Sequence, residues 1–334
     1  MKSEVATVSL RIGVLGAASI TKSALIKPAN DVPGVTVAAL AARSRDRAEA
    51  YAQKNGIPRV YDSYESLLAS PDIDAVYIPT PPALHAPWAL AAIAQGKHVL
   101  VEKPFAANAA DAQRVADAAK DSPVIVMEAF HPLYHPVSDC VRSLLSDKTI
   151  GQVTSVFGSF CAPIPPGKNI RWKVELGGGS LMDLGCYPLR VQQDLFGAPE
   201  RVVSAQAGDR QGIDRYMKAQ YLLPDGVEGT IHCSMWSRTL LAQRMIITGT
   251  EGTIRVSMPF TPQLGAKVRV ETPSGKRRYR VSRTPSYTYQ LRAFQKSIEE
   301  GHQPLSPVSE SVIMMNTIDA TYAAAGMQPR PTSD

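Results

Sequence analysis

Residues 10–20, with the sequence LRIGVLGAASI, decide the fold. An apolar run ends at Gly16 and small residues follow it, which is the order of a buried strand, a tight turn and a helix start. In that order the backbone amides of a helix N-terminus can hold the pyrophosphate of a dinucleotide. Ala18 and Thr21 occupy the second and third glycine positions of the fingerprint, so a plain strand-to-helix turn stays open. The predicted cofactor contacts in this turn are Gly16, Ala18, Ser19 and Ile20.

Around this stretch, short apolar runs alternate with helical patterns over the first third of the chain. Such alternation predicts parallel strands joined by crossover helices, that is, an α/β Rossmann domain with a doubly wound parallel sheet. The predicted helices, at 44–54, 84–95 and 111–119, are rich in alanine, and two of them end close to a glycine. The predicted strands are 10–15, 35–41, 75–78, 98–101 and 124–127.

The second half of the chain has longer strand-like runs, more turn signals and fewer helices. This pattern predicts an α+β domain with a large, mostly antiparallel open sheet, whose strands are joined by compact turns such as 224–226 and 249–252. We therefore predict two domains, residues 1–130 and residues 131–334. The predicted strands are 152–160, 201–207, 216–223, 227–235, 244–248 and 253–256, and the predicted helices are 180–195, 287–299 and 308–325.

The composition, with 44% hydrophobic and 20% charged residues, is that of a globular protein and excludes disordered and coiled-coil classes. The net charge of +6 is spread along the chain, and its one cluster, 276–278, follows a turn and predicts a solvated hairpin. No apolar run approaches the ~18 residues of a membrane span. We therefore expect neither a nucleic-acid nor a membrane partner. The four cysteines form no metal or disulfide pattern, so we predict no metal, and a reducing compartment, by default the cytoplasm.

The end of the second predicted strand carries arginines where an acid is expected. An acid roughly 20 residues beyond the glycine turn would hold the ribose 2′-hydroxyl of NAD. The chain instead reads AARSR at 41–45. Guanidinium and hydroxyl groups suit a 2′-phosphate, so Arg43 and Ser44 favour NADP(H), while NAD(H) stays possible. Arg45 and Arg47 can equally be solvated residues of the next helix.

Two further segments lie at the carboxyl ends of predicted parallel strands, where open α/β sheets bind ligands. The sequence PTPP at 79–82 follows one strand, and Glu102-Lys103-Pro104 follows another. For Glu102 and Lys103, a surface ion pair is the alternative. His85 begins the helix after residues 79–82, and a structural role is an equal alternative for it. The predicted cofactor contacts here are Pro79, Thr80, His85, Glu102 and Lys103.

Motifs in both halves resemble those of one known family. They are residues 12–20, 102–104, Glu128-Ala129-Phe130 with Tyr134-His135-Pro136, and GGGSLMDLGCY at 177–187. The chain resembles the glucose-fructose oxidoreductase and inositol dehydrogenase family, Gfo/Idh/MocA, and most of all its branch of dimeric dihydrodiol dehydrogenases and NADP-dependent xylose dehydrogenases. The resemblance implies that residues 131–334 bind substrate and form a homodimer or higher homo-oligomer through their sheet. It also implies hydride transfer between NAD(P) and a secondary alcohol or carbonyl of a sugar, polyol or cyclic diol.

The resemblance implies three catalytic residues. Lys103 would reach substrate and nicotinamide, Asp183 would hydrogen-bond the substrate, and Tyr187 would exchange its proton. The residues support this, because a helix that begins after three glycines places Asp183 and Tyr187 four positions apart on one face. A nearby ammonium favours phenolate and would lower the pKa of a tyrosine from about 10, and Lys103 could supply that charge. The alternative is a structural Asp183 and a half-buried core Tyr187.

One segment departs from the branch. Pro132 and Leu133 stand where the branch often has an aromatic residue and an arginine, which leaves the substrate class open. His131 and His135 are four positions apart, but the neighbouring prolines interrupt any helix, so a helical zinc pair is not predicted. The predicted substrate contacts are Phe130, His131, Arg171 and Trp172.

Two other functions stay open. An NAD-dependent glycosidase-type enzyme on the same fold would oxidise its substrate transiently, but the missing acid after the second strand speaks against it. A cofactor-binding regulator without turnover is the second, since a fold alone does not determine function. The set Lys103, Asp183 and Tyr187 favours an enzyme.

Overall fold

The structure, a computed structural model, describes residues 9–167 and 169–332. Its first sheet consists of six parallel strands, Leu10–Leu15 (β1), Val35–Ala41 (β2), Arg59–Tyr61 (β3), Ala75–Ile78 (β4), His98–Glu102 (β5) and Val126–Ala129 (β6). In space the order is β3-β2-β1-β4-β5-β6, which confirms the doubly wound sheet. The order reverses between β1 and β4, and such sheets bind ligands outside the carboxyl ends of the strands at that point.

Three strands of this sheet differ from the prediction, and one of them, β5, only by ending one residue later, at Glu102. β3 is absent from the predicted strands, because a strand of three residues at a sheet edge is too short to show an apolar pattern. β6 begins two residues later than predicted: Val124 and Ile125 are buried and apolar, but the first pair with β5 is Val99 with Val126. The apolar run reflects the burial of these residues, whereas the first residue of the strand is set by where pairing with β5 begins.

The helices of the first half are Lys27–Asp31 (α1), Arg45–Asn55 (α2), Tyr64–Leu68 (α3), His85–Ala94 (α4) and Ala109–Lys120 (α5). Sequence signals explain their ends, since the side chains of Ser44 and Asn108 cap α2 and α5, and Gly56 ends α2 in the left-handed conformation. A π-helical turn, Lys22–Ile26, precedes α1.

The second sheet has eight strands: Val153–Cys161 (β7), Arg201–Arg210 (β8), Ile213–Leu222 (β9), Glu228–Ser234 (β10), Ala242–Gly249 (β11), Gly252–Ser257 (β12), Lys267–Thr272 (β13) and Gly275–Tyr279 (β14). Their order is β14-β13-β12-β11-β7-β10-β9-β8. Only β7 and β10 pair in parallel among these strands of the described chain, so the mostly antiparallel sheet is confirmed. β13 and β14 are missing from the predicted strands, yet they form the predicted hairpin with exposed residues 276–278.

The helices of the second half are Pro136–Ser146 (α6), Cys186–Phe196 (α7), Ser286–Glu300 (α8) and Val308–Ala324 (α9). α7 covers one face of the second sheet so closely that a Cβ on Gly158 would lie 2.6 Å from Pro188. α8 and α9 return to the first half, where α8 packs on α1 and α9 on α5. The two sheets therefore share one continuous apolar core.

The cysteines and the helices bear on redox state and membrane contact. Cys140, Cys161, Cys186 and Cys233 are free thiols. Each is separated from the others along the chain, as the sequence pattern indicates. Within residues 9–167 and 169–332, no helix is both long enough and apolar enough to cross a bilayer.

Candidate active site

The turn after β1 has the features that a dinucleotide phosphate needs. Gly16 has a φ of +124°, a conformation that L side chains rarely adopt, and its amide donates to the carbonyl of Ala41 at 2.8 Å. Residues 18–20 are half-buried or exposed, which leaves the turn open. The buried hydroxyl of Thr80, at the end of β4, has no hydrogen-bond partner in the described part of the chain. A free donor beside an open backbone turn fits a dinucleotide phosphate.

The side chains after β2 divide into engaged and exposed groups. Arg45 is engaged, because it forms ion pairs with Glu49 at 2.8 Å and with Asp62. The Ser44 hydroxyl caps α2 by accepting from the amide of Arg47 at 3.5 Å. Arg43 is exposed at the carboxyl end of β2 and forms no ion pair within the described residues. Arg43 is therefore a cation that remains available to a 2′-phosphate at this strand end.

Arg47 is a residue that sequence reasoning leaves on the solvated face of α2. Its Nη2 donates to the carbonyl of Ala17 at 3.0 Å, and the hydroxyl of Tyr51 donates to the carbonyl of Ala18 at 2.9 Å. α2 thereby holds the turn after β1 and brings a second guanidinium beside it. The available signal is the spacing of Arg47 and Tyr51, which places both on one helical face.

His85 connects two loops of the cofactor crevice. Its ring is buried, with Nδ1 2.8 Å from the carbonyl oxygen of Pro104 and Nε2 2.7 Å from that of Thr80. The ring thus joins the loop after β4 to the loop after β5. The predicted contact of His85 with the cofactor stays a prediction, and both of its ring nitrogens face carbonyl oxygens of the protein.

Acidification is expected to destabilise the protein through His85. Burial lowers the pKa of His85 to about 4, although the carbonyls of Pro104 and Thr80 favour the charged ring. The stability it contributes is complete above the unfolded-state pKa of about 6.5 and is lost as the pH falls through 4. This loss should be roughly 2–4 kcal/mol in urea unfolding at a series of pH values. His85→Asn should flatten the dependence of the free energy of unfolding on pH, whereas His302→Asn, at an exposed site, should not. An unchanged pH dependence in His85→Asn would contradict this role of His85.

Lys103 crosses from the end of β5 to the second half of the chain. The Lys103–Pro104 peptide is cis. The Nζ of Lys103 donates to the carbonyl oxygen of Asp183 at 2.9 Å and to Oδ1 of Asp183 at 3.2 Å. The neighbouring Glu102 accepts from the Tyr77 hydroxyl at 2.6 Å and from the Lys103 amide at 3.3 Å, and its predicted contact with the cofactor stays a prediction. Glu102 therefore shapes the strand end, and Lys103 carries the charge into the site.

Asp183 lies between two cations. Its Oδ1 contacts Lys103, and its Oδ2 accepts from Nε of Arg171 at 2.6 Å. Burial disfavours the carboxylate, but the attraction of Lys103 and Arg171 outweighs it and lowers the pKa of Asp183. Burial likewise disfavours the Lys103 ammonium, but Asp183 outweighs it and raises the pKa of Lys103. All three groups therefore stay charged at neutral pH, and Arg171, predicted to contact substrate, holds the carboxylate in place.

Tyr187 lies in an aromatic cluster beside this ion triad. It is 7% exposed, and Nζ of Lys103 lies over its ring, 4.8 Å from the centroid. Its hydroxyl is hydrogen-bonded to Nε2 of His131 at 3.4 Å. The centroids of three phenylalanine rings lie 5.2, 5.2 and 5.7 Å away, those of Phe130, Phe160 and Phe260.

The predicted lowering of the Tyr187 pKa is wrong. Burial raises the pKa of Tyr187 well above its ordinary value, and Cys186 and Glu102 raise it further. Lys103 does not reverse this, because its ammonium is bound to Asp183 and lies over the ring face. Tyr187 is therefore a neutral hydroxyl at physiological pH, which is the form that donates a proton.

The segment that carries Asp183 is a π-helical turn, Leu181–Gly185, where an α-helix is predicted. Its start is fixed by Asp214, whose Oδ2 accepts from the amide of Leu181 at 2.7 Å and from the hydroxyl of Ser180 at 2.8 Å. Single π-turns are frequent at functional sites. This one directs both the carbonyl and the carboxylate of Asp183 at Lys103, with Tyr187 at the start of α7.

The four predicted substrate contacts occupy two different places. Arg171 and Trp172 are half-exposed near the opening of the site, where the indole of Trp172 donates to the carbonyl of Ile164 at 3.2 Å. Phe130 and His131 are fully buried behind Tyr187. The predicted substrate contacts of these two residues stay a prediction, because both side chains are buried and pack against Tyr187.

Models of one protein family match both halves of the chain. An oxidoreductase family with an NAD-binding Rossmann fold matches residues 10–130, and the GFO/IDH/MocA C-terminal domain matches residues 139–255. The chain belongs to the Gfo/Idh/MocA family. The recognition made from the motifs is thus confirmed.

Several known proteins are similar to the chain over more than half of their length. The chain is 35% identical over 318 residues to D-xylose 1-dehydrogenase (NADP(+)) 2 of Haloferax volcanii, covering 95% of this chain and 97% of the relative. It is 34% identical over 207 residues to trans-1,2-dihydrobenzene-1,2-diol dehydrogenase of Sus scrofa, covering 60% and 61%. The crystal structure of KijD10, a 3-ketoreductase from Actinomadura kijaniata in complex with NADP and TDP-benzene, has a TM-score of 0.86 and 28% identity over 95% of this chain and 98% of that one.

Proposed function

We propose that this Gfo/Idh/MocA chain is an NADP(H)-dependent oxidoreductase acting on a secondary alcohol or carbonyl of a sugar, polyol or cyclic diol. The observation that carries the proposal is the contact of Lys103, Asp183 and Tyr187 beside the carboxyl ends of the first sheet. The similarity to an NADP-dependent xylose dehydrogenase and a dihydrodiol dehydrogenase supports it. The nicotinamide supplies or accepts the hydride when it is bound.

The residues of the chain position the substrate oxygen and move its proton. The ammonium of Lys103, which Asp183 orients, is placed to stabilise negative charge that develops on that oxygen. The neutral hydroxyl of Tyr187 gives the proton in reduction, and in oxidation its oxygen takes the proton of the substrate as its own proton leaves. The phenylalanine cluster around its ring keeps water away from that side.

The substitution Arg43→Ala is expected to weaken NADPH binding by about 10-fold or more and to change NADH binding little, since a charge-assisted bond to phosphate contributes about 1.5–3 kcal/mol. Fluorescence titration of each reduced nucleotide gives the two Kd values. Arg45→Ala is the matched control, because Arg45 pairs with Glu49 and Asp62 and should affect neither nucleotide. Equal losses for both nucleotides in Arg43→Ala would remove the 2′-phosphate assignment.

The experiment that tests the function is a substrate panel followed by the absorbance of reduced nicotinamide. Aldoses, inositols, anhydrosugars and dihydrodiols are each assayed with NADP(H) and with NAD(H). Turnover of at least one class with NADP(H) is expected. Hydrolysis of a glycoside with a retained NAD would favour the glycosidase-type enzyme, and cofactor binding without any turnover would favour the regulator.

We also propose a homo-oligomer that forms through the second sheet. Gly158 faces α7, so its neighbour Phe157 points to the opposite face, where it pairs with Ile246 of β11. Both are half-buried on a sheet face with Arg244 5.6 Å from the Phe157 ring. We propose the same division of the chain into a nucleotide-binding domain, 1–130, and a substrate-binding and dimerisation domain, 131–334, and the bounds of the two family matches support it. A monomeric mass in solution would contradict the homo-oligomer. We also propose a cytoplasmic location, which the free thiols support.

A further inference from the structure

A chain of hydrogen bonds runs from the catalytic tyrosine towards the surface. The Tyr187 hydroxyl lies 3.4 Å from Nε2 of His131, and Nδ1 of His131 lies 2.7 Å from Oγ of Ser286. The hydroxyl of Ser286 donates to Oε1 of Gln263 at 3.2 Å. His131 and Ser286 are fully buried, whereas Gln263 is half-exposed beside the exposed Leu264. The chain therefore connects the buried hydroxyl to a surface turn.

The proposed reaction can use such a connection. Each reduction removes the proton of Tyr187, and a proton from solvent must replace it before the next turnover. Tyr187 is 7% exposed, and three phenylalanine rings pack against it. A path behind the ring supplies this proton while substrate or product still occupies the opening.

We propose that His131 relays this proton between Tyr187 and Ser286, a role that rests on the proposed oxidoreductase function. In reduction, the Tyr187 proton goes to the carbonyl oxygen of the substrate as hydride reaches its carbon. The Tyr187 oxygen then takes the proton on Nε2 of His131, and Nδ1 takes the proton of the Ser286 hydroxyl, which turns from Oε1 of Gln263 to His131 for this step. A water molecule from solvent beside the half-exposed Gln263 gives a proton to the Ser286 oxygen, because the amide oxygen of Gln263 only accepts. The His131 ring and the two hydroxyls then reorient, which restores the starting hydrogen bonds for the next reduction. Oxidation reverses every transfer, so one proton passes for each hydride.

The imidazole suits a relay because it is neutral before and after the transfer and changes only its tautomer. Burial, with the charge of Lys103 and the nearby His135, lowers the pKa of His131 to about 3. A neutral ring has one donor and one acceptor nitrogen. Both nitrogens have a hydroxyl partner here, which allows the chain to point in either direction.

Packing alone is the alternative role for His131, since its ring lies 4.1 Å from that of Tyr287. His131→Phe retains an aromatic ring and removes both nitrogens, so it separates packing from proton transfer. We expect it to lower kcat by about 10-fold or more, the lower part of the range for a proton-transfer group, with KM and the cofactor Kd unchanged. Unchanged kcat, or a loss confined to KM, would overturn the relay.

Chemical rescue gives a second and sharper test. In His131→Ala, added imidazole should restore kcat in a saturable manner, and it should have no effect on Tyr187→Phe. Ser286→Ala, which keeps the His131 ring, should lower kcat and change the solvent deuterium isotope effect on kcat. His135→Phe, a buried histidine outside the chain, should leave that isotope effect unchanged. Failure of imidazole rescue together with an unaltered isotope effect in Ser286→Ala would overturn the proposal.

A readout independent of turnover is the ¹⁵N NMR signal of the His131 ring. Tyr187→Phe should shift Nε2, and Ser286→Ala should shift Nδ1. Unmoved signals would show that the hydrogen bonds are absent. A wild-type chain without any turnover would reject the proposed function, whereas turnover that is indifferent to His131 and Ser286 would reject the relay alone.

Discussion

Tyr187→Phe is expected to lower kcat by about 10²-fold or more, because the substitution removes the hydroxyl that exchanges a proton with the substrate oxygen. The ring itself remains, so its packing against the phenylalanine cluster is retained and NADP(H) should bind as before. The measurement is kcat and KM with the best substrate of the panel, in both directions.

The matched control is Tyr134→Phe. Tyr134 is also a buried tyrosine, and its hydroxyl is hydrogen-bonded to Oγ of Ser306 at 2.7 Å and to its amide at 3.1 Å. Its loss should cost about 1 kcal/mol of stability and leave kcat unchanged. A near-normal kcat in Tyr187→Phe, or an equal fall in Tyr134→Phe, would contradict the catalytic assignment of Tyr187.

Local patterns are enough to predict most of the first sheet. β1, β2 and β4 have their predicted bounds, because strands buried on both faces give continuous apolar runs. β3 and β14 lie at sheet edges, and β14 consists of GKRRY with four exposed residues. Such strands exist because a neighbour pairs with them, and that information lies in distant residues.

The site is predictable in membership and less so in contacts. Lys103, Asp183 and Tyr187 come together as the motifs indicate, but the bond between Lys103 and Asp183 spans 80 positions. No local pattern shows that Asp183 neutralises this ammonium. The predicted direction of the Tyr187 pKa fails for the same reason, since Phe160 and Phe260, from separate parts of the second half, supply the burial.

The glycine run before Asp183 depends on a residue close to the end of the chain. Arg330 is 2% exposed, and its Nε donates to the carbonyl of Gly178 at 2.6 Å, while Nη2 pairs with Oδ1 of Asp214 at 2.6 Å. Gly179, with a φ of +135°, leaves no room for a Cβ between these two side chains. Asp214 in turn holds the amide that starts the π-helical turn. One buried ion pair thus fixes the start of the segment that carries Asp183 and Tyr187.

Arg330→Ala is therefore expected to lower the free energy of unfolding by roughly 3–5 kcal/mol, because it leaves the fully buried Asp214 carboxylate without its cation. Urea unfolding measures the loss, and Arg278→Ala, at an exposed site on β14, should stay within about 0.5 kcal/mol of the wild type. Adding Asp214→Asn should recover part of the loss, since the uncompensated charge is then gone. If the free energy of unfolding of Arg330→Ala alone lies within about 1 kcal/mol of the wild type, the ion pair of Arg330 and Asp214 does not hold the segment. A stable variant with lowered kcat would instead separate the positioning of Asp183 and Tyr187 from the stability of the fold.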